Sequence, residues 1–579
     1  MERNVEIIQR IKNLSDLYKE YSIDGYLIPS TDEYLNEYLH DYFKRLSYIS
    51  GFTGSNGYVI IFSDKILFFT DGRYITQAEN QLPKNLTKIY DIKNIADLDL
   101  IDLKFSQIGY NPELFCKSQL NIFKTFQLKE IKEDLIDKIW LEDRPLKSTE
   151  KAFTYDDEFS GQVRDKKILN IQTEIKSLKA DYHLITDCIS ICWILNIRAS
   201  DVPFCPLLLS RLVISKENIY LFTDLSKIDH LDLTGVIILE ESKIYEFLSQ
   251  LTGTIILDKN KVPVSYLEAT KHLNVINNID LCLFPKACKN DVEIQGAKNA
   301  HIKDAIALLN FFSWLEESLN SKKELTEFDL GKQLTYFRSE QDGYIRDSFS
   351  AICGFQDNSA IIHYRAQKSS AKKIEGEGLL LIDSGGHYYG GTTDITRTIN
   401  IGTPNKDYIK FYTKVLKGHI ALFNIKFPDG ICSSNLDVLA RQYLWQEGCD
   451  YPHGTGHGVG NVLSVHEGPQ SLNTINNISL KRNMILSNEP GYYIKNYFGI
   501  RIENLMYVKN SEYNGFFEFE NLTMMPYCNE LIDVDMLDKV EKKYLVDFYH
   551  NINITLTPLL NVTSEKYLKK QIELLLARF

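Results

Sequence analysis

LLLIDSGGHYYGGTTDITRT, residues 379–398, decides the fold of the last third of the chain. An apolar run ends at Asp383, glycines follow, and an alternating run carries Asp394. The segment reads as two antiparallel strands joined by a short glycine-containing turn, with Asp383 ending the first strand and Asp394 inside the second. Pairing those strands draws two carboxylates toward one point. Like charges that close repel and do not easily both stay ionised in a partly dry pocket; bound dications remove the penalty.

Three further segments supply candidate ligands: HGTGHGVG (453–460), ILSNEPGYY (485–493) and GIRIEN (499–504). His453 and His457 lie four apart, a helix-face spacing, but four of the eight residues around them are glycine, each costing roughly 1 kcal/mol in a helix. That segment is therefore a loop or an irregular strand, and the two histidines need not share a metal. Glu489 precedes Pro490 and is held extended. Glu503 sits in an alternating strand pattern, where a buried charge needs a partner. Arg501, two residues away on the same face, offers a purely structural ion pair, and a metal is the other reading. Together Asp383, Asp394, His457, Glu489 and Glu503 give the four carboxylates and one imidazole that two adjacent divalent ions need. Such a donor set suits Mn²⁺, Co²⁺ or Fe²⁺ better than a structural zinc.

The 579 residues exceed one core, and at roughly 100–200 residues per domain they predict three or four domains. The net charge of −12, with no basic block, argues against nucleic acid as a partner. The start has apolar residues at helical spacing (Val5, Ile8, Ile11, Leu14, Leu17) interleaved with charges. It lacks the uninterrupted apolar run of about 7–15 residues of a signal peptide, and no stretch approaches the ~18 of a membrane span. The ten cysteines are scattered without a CxxC pair, and Cys188 and Cys192, four apart in an apolar segment, read as two buried thiols. Free, dispersed cysteines fit a reducing compartment, so the expectation is a cytoplasmic protein without membrane partners.

The first half contains a weak internal repeat. Residues 24–71 run DGYLIPS, YISGFTGS and IIFSDKILFFTD; residues 181–224 run DYHLITD, CWILNIRASD and LVISKENIYLFTD. In each, an aspartate precedes a buried-strand pattern, and a strand–turn–strand unit ends in Phe-Thr-Asp. The repeat predicts two similar α/β domains in tandem, each with a mixed sheet and flanking helices. A polar linker over 140–161 separates them, and a long helix from Asp291 opens the last domain. The expected division is 1–145, 146–286 and 287–579, the last ending in a helical extension.

The motifs DSGGHYYGGTTDITRT, HGTGHGVG, VHEGP (465–469), NEPGYY and RIEN, in this order, closely resemble those of the pita-bread metallopeptidases. The aspartates eleven apart and the glutamates fourteen apart match that family as well. With IIHY (361–364) and two preceding creatinase/prolidase-like domains, the whole chain resembles the three-domain Xaa-Pro aminopeptidases. The resemblance implies an α/β (α+β) architecture and two divalent ions, Mn²⁺ foremost. Asp394 and Glu503 would bridge the ions, Asp383 would complete one shell, and His457 and Glu489 the other. His363, His453 and His466 would face the substrate, and Glu489 would relay a proton with His363 or His466 assisting. It further implies short peptides with proline second as substrates, Tyr364, Tyr492 and Tyr493 as pocket walls, and a homodimer. A prolidase and a non-catalytic binding protein of the same fold are the alternatives.

Overall fold

The computed structural model describes residues 2–97 and 106–579, which form two compact units, Met1–Asp156 with Gln162–Leu283, and Asp157–Gly161 with Phe284–Phe579.

The first unit carries the repeat as two six-stranded sheets of one topology. In the first sheet the central strand Gly25–Pro29 pairs antiparallel with Tyr58–Phe62 and parallel with Gln107–Tyr110. Ile66–Thr70 and Thr87–Asp91 extend one side, Gln127–Glu130 the other. In the second sheet Tyr182–Ile185 takes the central place between Ser210–Ser215, antiparallel, and Thr254–Leu257, parallel. Ile219–Thr223, Val236–Glu240 and Asn274–Asn277 complete it in the same order. The runs YVIIF and SRLVIS are buried throughout, as strands covered on both faces must be.

The aspartate that precedes each central strand explains why the repeat shows in sequence. Asp24 accepts from the Gln107 amide (2.7 Å) and Asp181 from the Thr254 amide (2.8 Å), so each clamps the start of the parallel neighbour to its sheet. The first helix, Glu2–Ser15, buries Ile7, Ile11 and Leu14, while Val5 and Ile8 face solvent, so its inward stripe is offset from the one the apolar spacing predicts. All ten cysteines are free, with Cys188 and Cys192 buried, and no helix among the described residues is long and apolar enough to cross a membrane.

The second unit is built around helix Asp291–Asn320, whose start is fixed by Asn290: its side chain accepts from the Val292 and Glu293 amides while Glu293 reaches back to the Asn290 amide. The helix packs on a three-stranded antiparallel sheet in which Gly378–Ser384 lies between Ile352–Phe355 and Ile395–Ile401. A second sheet orders Phe427–Pro428, Phe516–Asn521, Asn504–Asn510 and Ile485–Asn488. Helices Lys406–Phe423 and Ser434–Trp445 cover these sheets. Leu309, Phe312, Leu380, Ile382, Tyr412 and Ile500 meet in one core. The C-terminal helices Lys539–Leu556 and Val562–Leu576 add Leu545, Phe548 and Leu568 to that same core.

Candidate metal centre

Asp383 and the residue after Asp394 belong to adjacent antiparallel strands, Asp383 opposite Thr396 and Ser384 opposite Ile395. Asp394 itself lies one step before its strand, not inside it. The connection is also more than a short turn. Gly386–Tyr388 and Gly391–Thr392 form a hairpin of their own that pairs with Tyr344–Asp347. That extra hairpin needs Gly385, because a Cβ there would run into the Thr393 carbonyl and the Ser348 hydroxyl.

His457 comes from the short strand Gly456–His457, which pairs with Ser471–Leu472. Its backbone amide donates to Ser487 Oγ (2.9 Å), joining it to the strand that ends at Asn488, just before Glu489. Glu503 lies between the strands Phe498–Arg501 and Asn504–Asn510 rather than within one, and its amide donates to the Thr396 carbonyl (3.1 Å). Asp394, Glu489 and Glu503 thus all fall just outside regular strands, whereas Asp383 lies within one.

Donor atoms of Asp394, His457 and Glu503 all lie within 4.8 Å of one another. His457 Nε2 is 3.5 Å from Asp394 Oδ2 and 3.6 Å from Glu489 Oε1, which brings Glu489 to the same place. Asp383 stands at the other end, its Oδ2 held by Arg501 NH2 at 2.5 Å. Arg501 also donates to the Tyr493 hydroxyl (2.8 Å) and Thr396 Oγ1 (3.1 Å), and the Tyr493 hydroxyl meets His453 Nε2 at 2.9 Å. The Arg501–Glu503 ion pair that sequence proximity offers is not made. Glu503 Oε2 accepts instead from Thr396 Oγ1 (2.8 Å). His453 therefore sits on the Tyr493–Arg501–Asp383 chain, apart from His457.

His466 packs edge-on against His457, ring centroids 4.4 Å apart. His363 follows Ile362, whose carbonyl accepts from Arg501 NH2 (3.4 Å). Of the three tyrosines read as pocket walls, Tyr493 is in the Arg501 chain, Tyr364 donates to Glu327 (2.7 Å), and Tyr492 stacks on Phe411 with centroids 4.2 Å apart. Thr396 and the Arg501–Tyr493 link went unread in the sequence. The available signal was the alternation of DITRT, which puts Thr396 on the face of Asp394.

Four carboxylates face one buried guanidinium. Burial first, then the neighbouring carboxylates, pushes the Asp394 and Glu503 carboxyls well above the usual carboxylate range. Asp383 Oδ1 and Asp394 Oδ1 are buried with no hydrogen-bond partner, a costly arrangement for bare carboxylate oxygens. Uncompensated oxygen donors with a single imidazole nitrogen fit two divalent cations.

The sequence matches metallopeptidase family M24 over residues 295–510, its C-terminal region over 515–575, and the creatinase/prolidase N-terminal domain over both 10–120 and 143–293. The Xaa-Pro aminopeptidase 1 of Dictyostelium discoideum is 36% identical, the match covering 98% of this chain and 97% of that one. The chain belongs to the Xaa-Pro aminopeptidases of family M24. Aminopeptidase P2 of Arabidopsis thaliana is 34% identical over 96% of this chain and 87% of its own. The crystal structure of an X-prolyl aminopeptidase from Caenorhabditis elegans superposes with a TM-score of 0.90 at 33% identity, covering 98% of this chain and 99% of that one. That relative is described as a cytosolic enzyme with a di-nuclear active site. The Xaa-Pro aminopeptidase family accounts for the duplicated N-terminal topology as well as the carboxylate cluster.

Proposed function

We propose that this protein is a metal-dependent Xaa-Pro aminopeptidase of the cytoplasm that removes the first residue from peptides with proline second. The observation that carries this reading is the convergence of Asp394, His457 and Glu503 within 4.8 Å, with Glu489 adjoining, in a chain similar along its length to aminopeptidases of that name. Asp394 and Glu503 would be shared between two ions, Asp383 completing one set of ligands and His457 with Glu489 the other. Mn²⁺ is the ion we favour, from the oxygen-rich donors. When bound, such a pair supplies a water of lowered pKa and a positive field at the peptide carbonyl.

The rest is the work of the chain's own groups. Glu489, half-buried beside His457, accepts the proton of the attacking water and delivers it to the proline nitrogen as the C–N bond breaks. His466 and His363 bind the peptide and donate toward the oxygen that gains charge. His453, set by Tyr493, lines the side that takes the residue after the scissile bond. A proline nitrogen in a peptide bond carries no hydrogen, so recognition there falls to packing rather than to an N–H acceptor.

The deciding experiment is hydrolysis of Arg-Pro-Pro and Gly-Pro by metal-stripped protein, with and without Mn²⁺. Mn²⁺-dependent release of arginine from the tripeptide supports the proposal. Cleavage of the dipeptide alone would make the protein a prolidase, and silence on both would favour a binding protein.

A further inference from the structure

The first unit contains a cavity of about 290 Å³ that the reaction above does not use. Five charged side chains line it: Glu33, Glu113 and Glu241, with Arg211 and Lys147. Arg211 is 3% exposed and rigidly set. Its guanidinium stacks 3.7 Å from the Tyr34 ring centroid, and donates to the Tyr266 hydroxyl (2.7 Å), the Glu33 carbonyl (2.6 Å) and the Ser210 carbonyl (3.1 Å). Those bonds use three of the five N–H groups of an arginine. Among the described residues, no carboxylate forms an ion pair with Arg211 or with Lys147, which leans instead on the Tyr42 and Phe43 rings.

The carboxylates are likewise met by neutral groups. Tyr34 donates its hydroxyl to Glu241, and Tyr245 donates to Glu113 Oε1 (2.9 Å). Glu33 does have a cation, Arg45, 2.5 Å from Oε1, but its Oε2 is buried with no hydrogen-bond partner. Setting the Glu33–Arg45 pair aside leaves two carboxylates and two cations around one space, balanced in number, with Arg211 close enough to feel Glu113 and Glu241 but in ion-pair contact with neither. A simple anion would meet Glu113 and Glu241; a metal ion would meet Arg211 and Lys147. A ligand carrying both signs satisfies all four. The volume falls at the small end of ligand pockets, about 300–1,000 Å³. Phe43 and Ile244 add an apolar wall.

We propose that this cavity binds a free α-amino acid with an apolar side chain, its carboxylate on Arg211 and Lys147 and its ammonium among Glu241, Glu113 and Glu33 Oε2. The fixed guanidinium is the preorganised element, since little side-chain freedom is left to lose on binding.

The test is titration calorimetry on the full-length protein with L-leucine as the probe. Leucinamide, which lacks the carboxylate, and 4-methylpentanoate, which lacks the amine, are the controls. The expected result is one saturable site for leucine, with both analogues weaker by at least about tenfold. Binding should persist in Asp394→Asn and weaken by at least about tenfold in Glu241→Gln and in Lys147→Ala, whose side chain is exposed and removable without a core change. Circular dichroism confirms that these variants are folded. Leucine binding lost in Asp394→Asn and kept in Glu241→Gln would locate the ligand at the catalytic centre and overturn the proposal. Equal binding of the analogues, or no saturable binding at millimolar leucine, would overturn it too.

Discussion

Arg501 holds Asp383, 2.5 Å away across two strands, and leaves Glu503, its near neighbour in sequence, to Thr396. One cation is thereby committed to one end of a four-carboxylate cluster and tied through Tyr493 to His453. Replacing Arg501 with Met should lower kcat/KM on Arg-Pro-Pro about 100-fold, as expected when a group that orients ligands is lost. Steady-state kinetics on metal-reconstituted protein check this, and a rate within about twofold of wild type would show the link to be idle.

Thr396→Val keeps the shape of the strand but removes the hydroxyl that donates to Glu503 and accepts from Arg501. The expected cost is about 10-fold in Mn²⁺ affinity. Equilibrium dialysis against a metal buffer reads it directly.

The raised carboxyls of Asp394 and Glu503 make metal-free stability depend on pH. A carboxyl whose folded pKa lies above its unfolded value of about 4 stabilises the fold below that value and loses the contribution as pH rises through the folded one. Ions that replace the protons reverse the loss. Thermal melts with and without Mn²⁺ should therefore show a stabilisation that grows from about pH 5 to pH 8. A gain that shrinks over that range would contradict the assignment.

His419 works in the opposite sense. It is fully buried, bonded to the Asn488 carbonyl (3.0 Å) and the Tyr527 hydroxyl (3.2 Å). Burial and then Arg397 push its pKa down to about 3. A depressed folded pKa gives stability that is complete above the unfolded value of about 6.5 and is lost as pH falls toward 3. The slope from this group is roughly 1.4 kcal/mol per pH unit. Urea titrations at a series of pH values should show that slope reduced by this amount in His419→Gln.

Gly385→Ala should destabilise the second unit by roughly 1–3 kcal/mol, because the new methyl collides with backbone at Thr393. Urea unfolding of metal-free protein separates this effect from any change in ion binding.

The sheet pairing of Asp383 and the long helix from Asp291 were legible because apolar runs and helical spacing are local signals; the Asn290 cap that fixes the helix start was not read. The repeat was legible for a further reason: Asp24 and Asp181 perform one clamping task in two sheets, which keeps their positions comparable. The partner of Arg501 was not legible. Its choice of Asp383 over Glu503 depends on where a strand 118 residues away passes, and sequence adjacency favoured the wrong carboxylate. The hairpin at 386–392 was hidden likewise, since its third strand comes from Tyr344–Asp347. The aminopeptidase motifs could be read as a set, yet the geometry that joins them is long-range.

The cluster draws its members from segments that belong to or border three separate sheets. On the function proposed above, peptide cleavage should therefore return only late in refolding, once all three sheets have paired, which leaves an unfinished chain a poor protease.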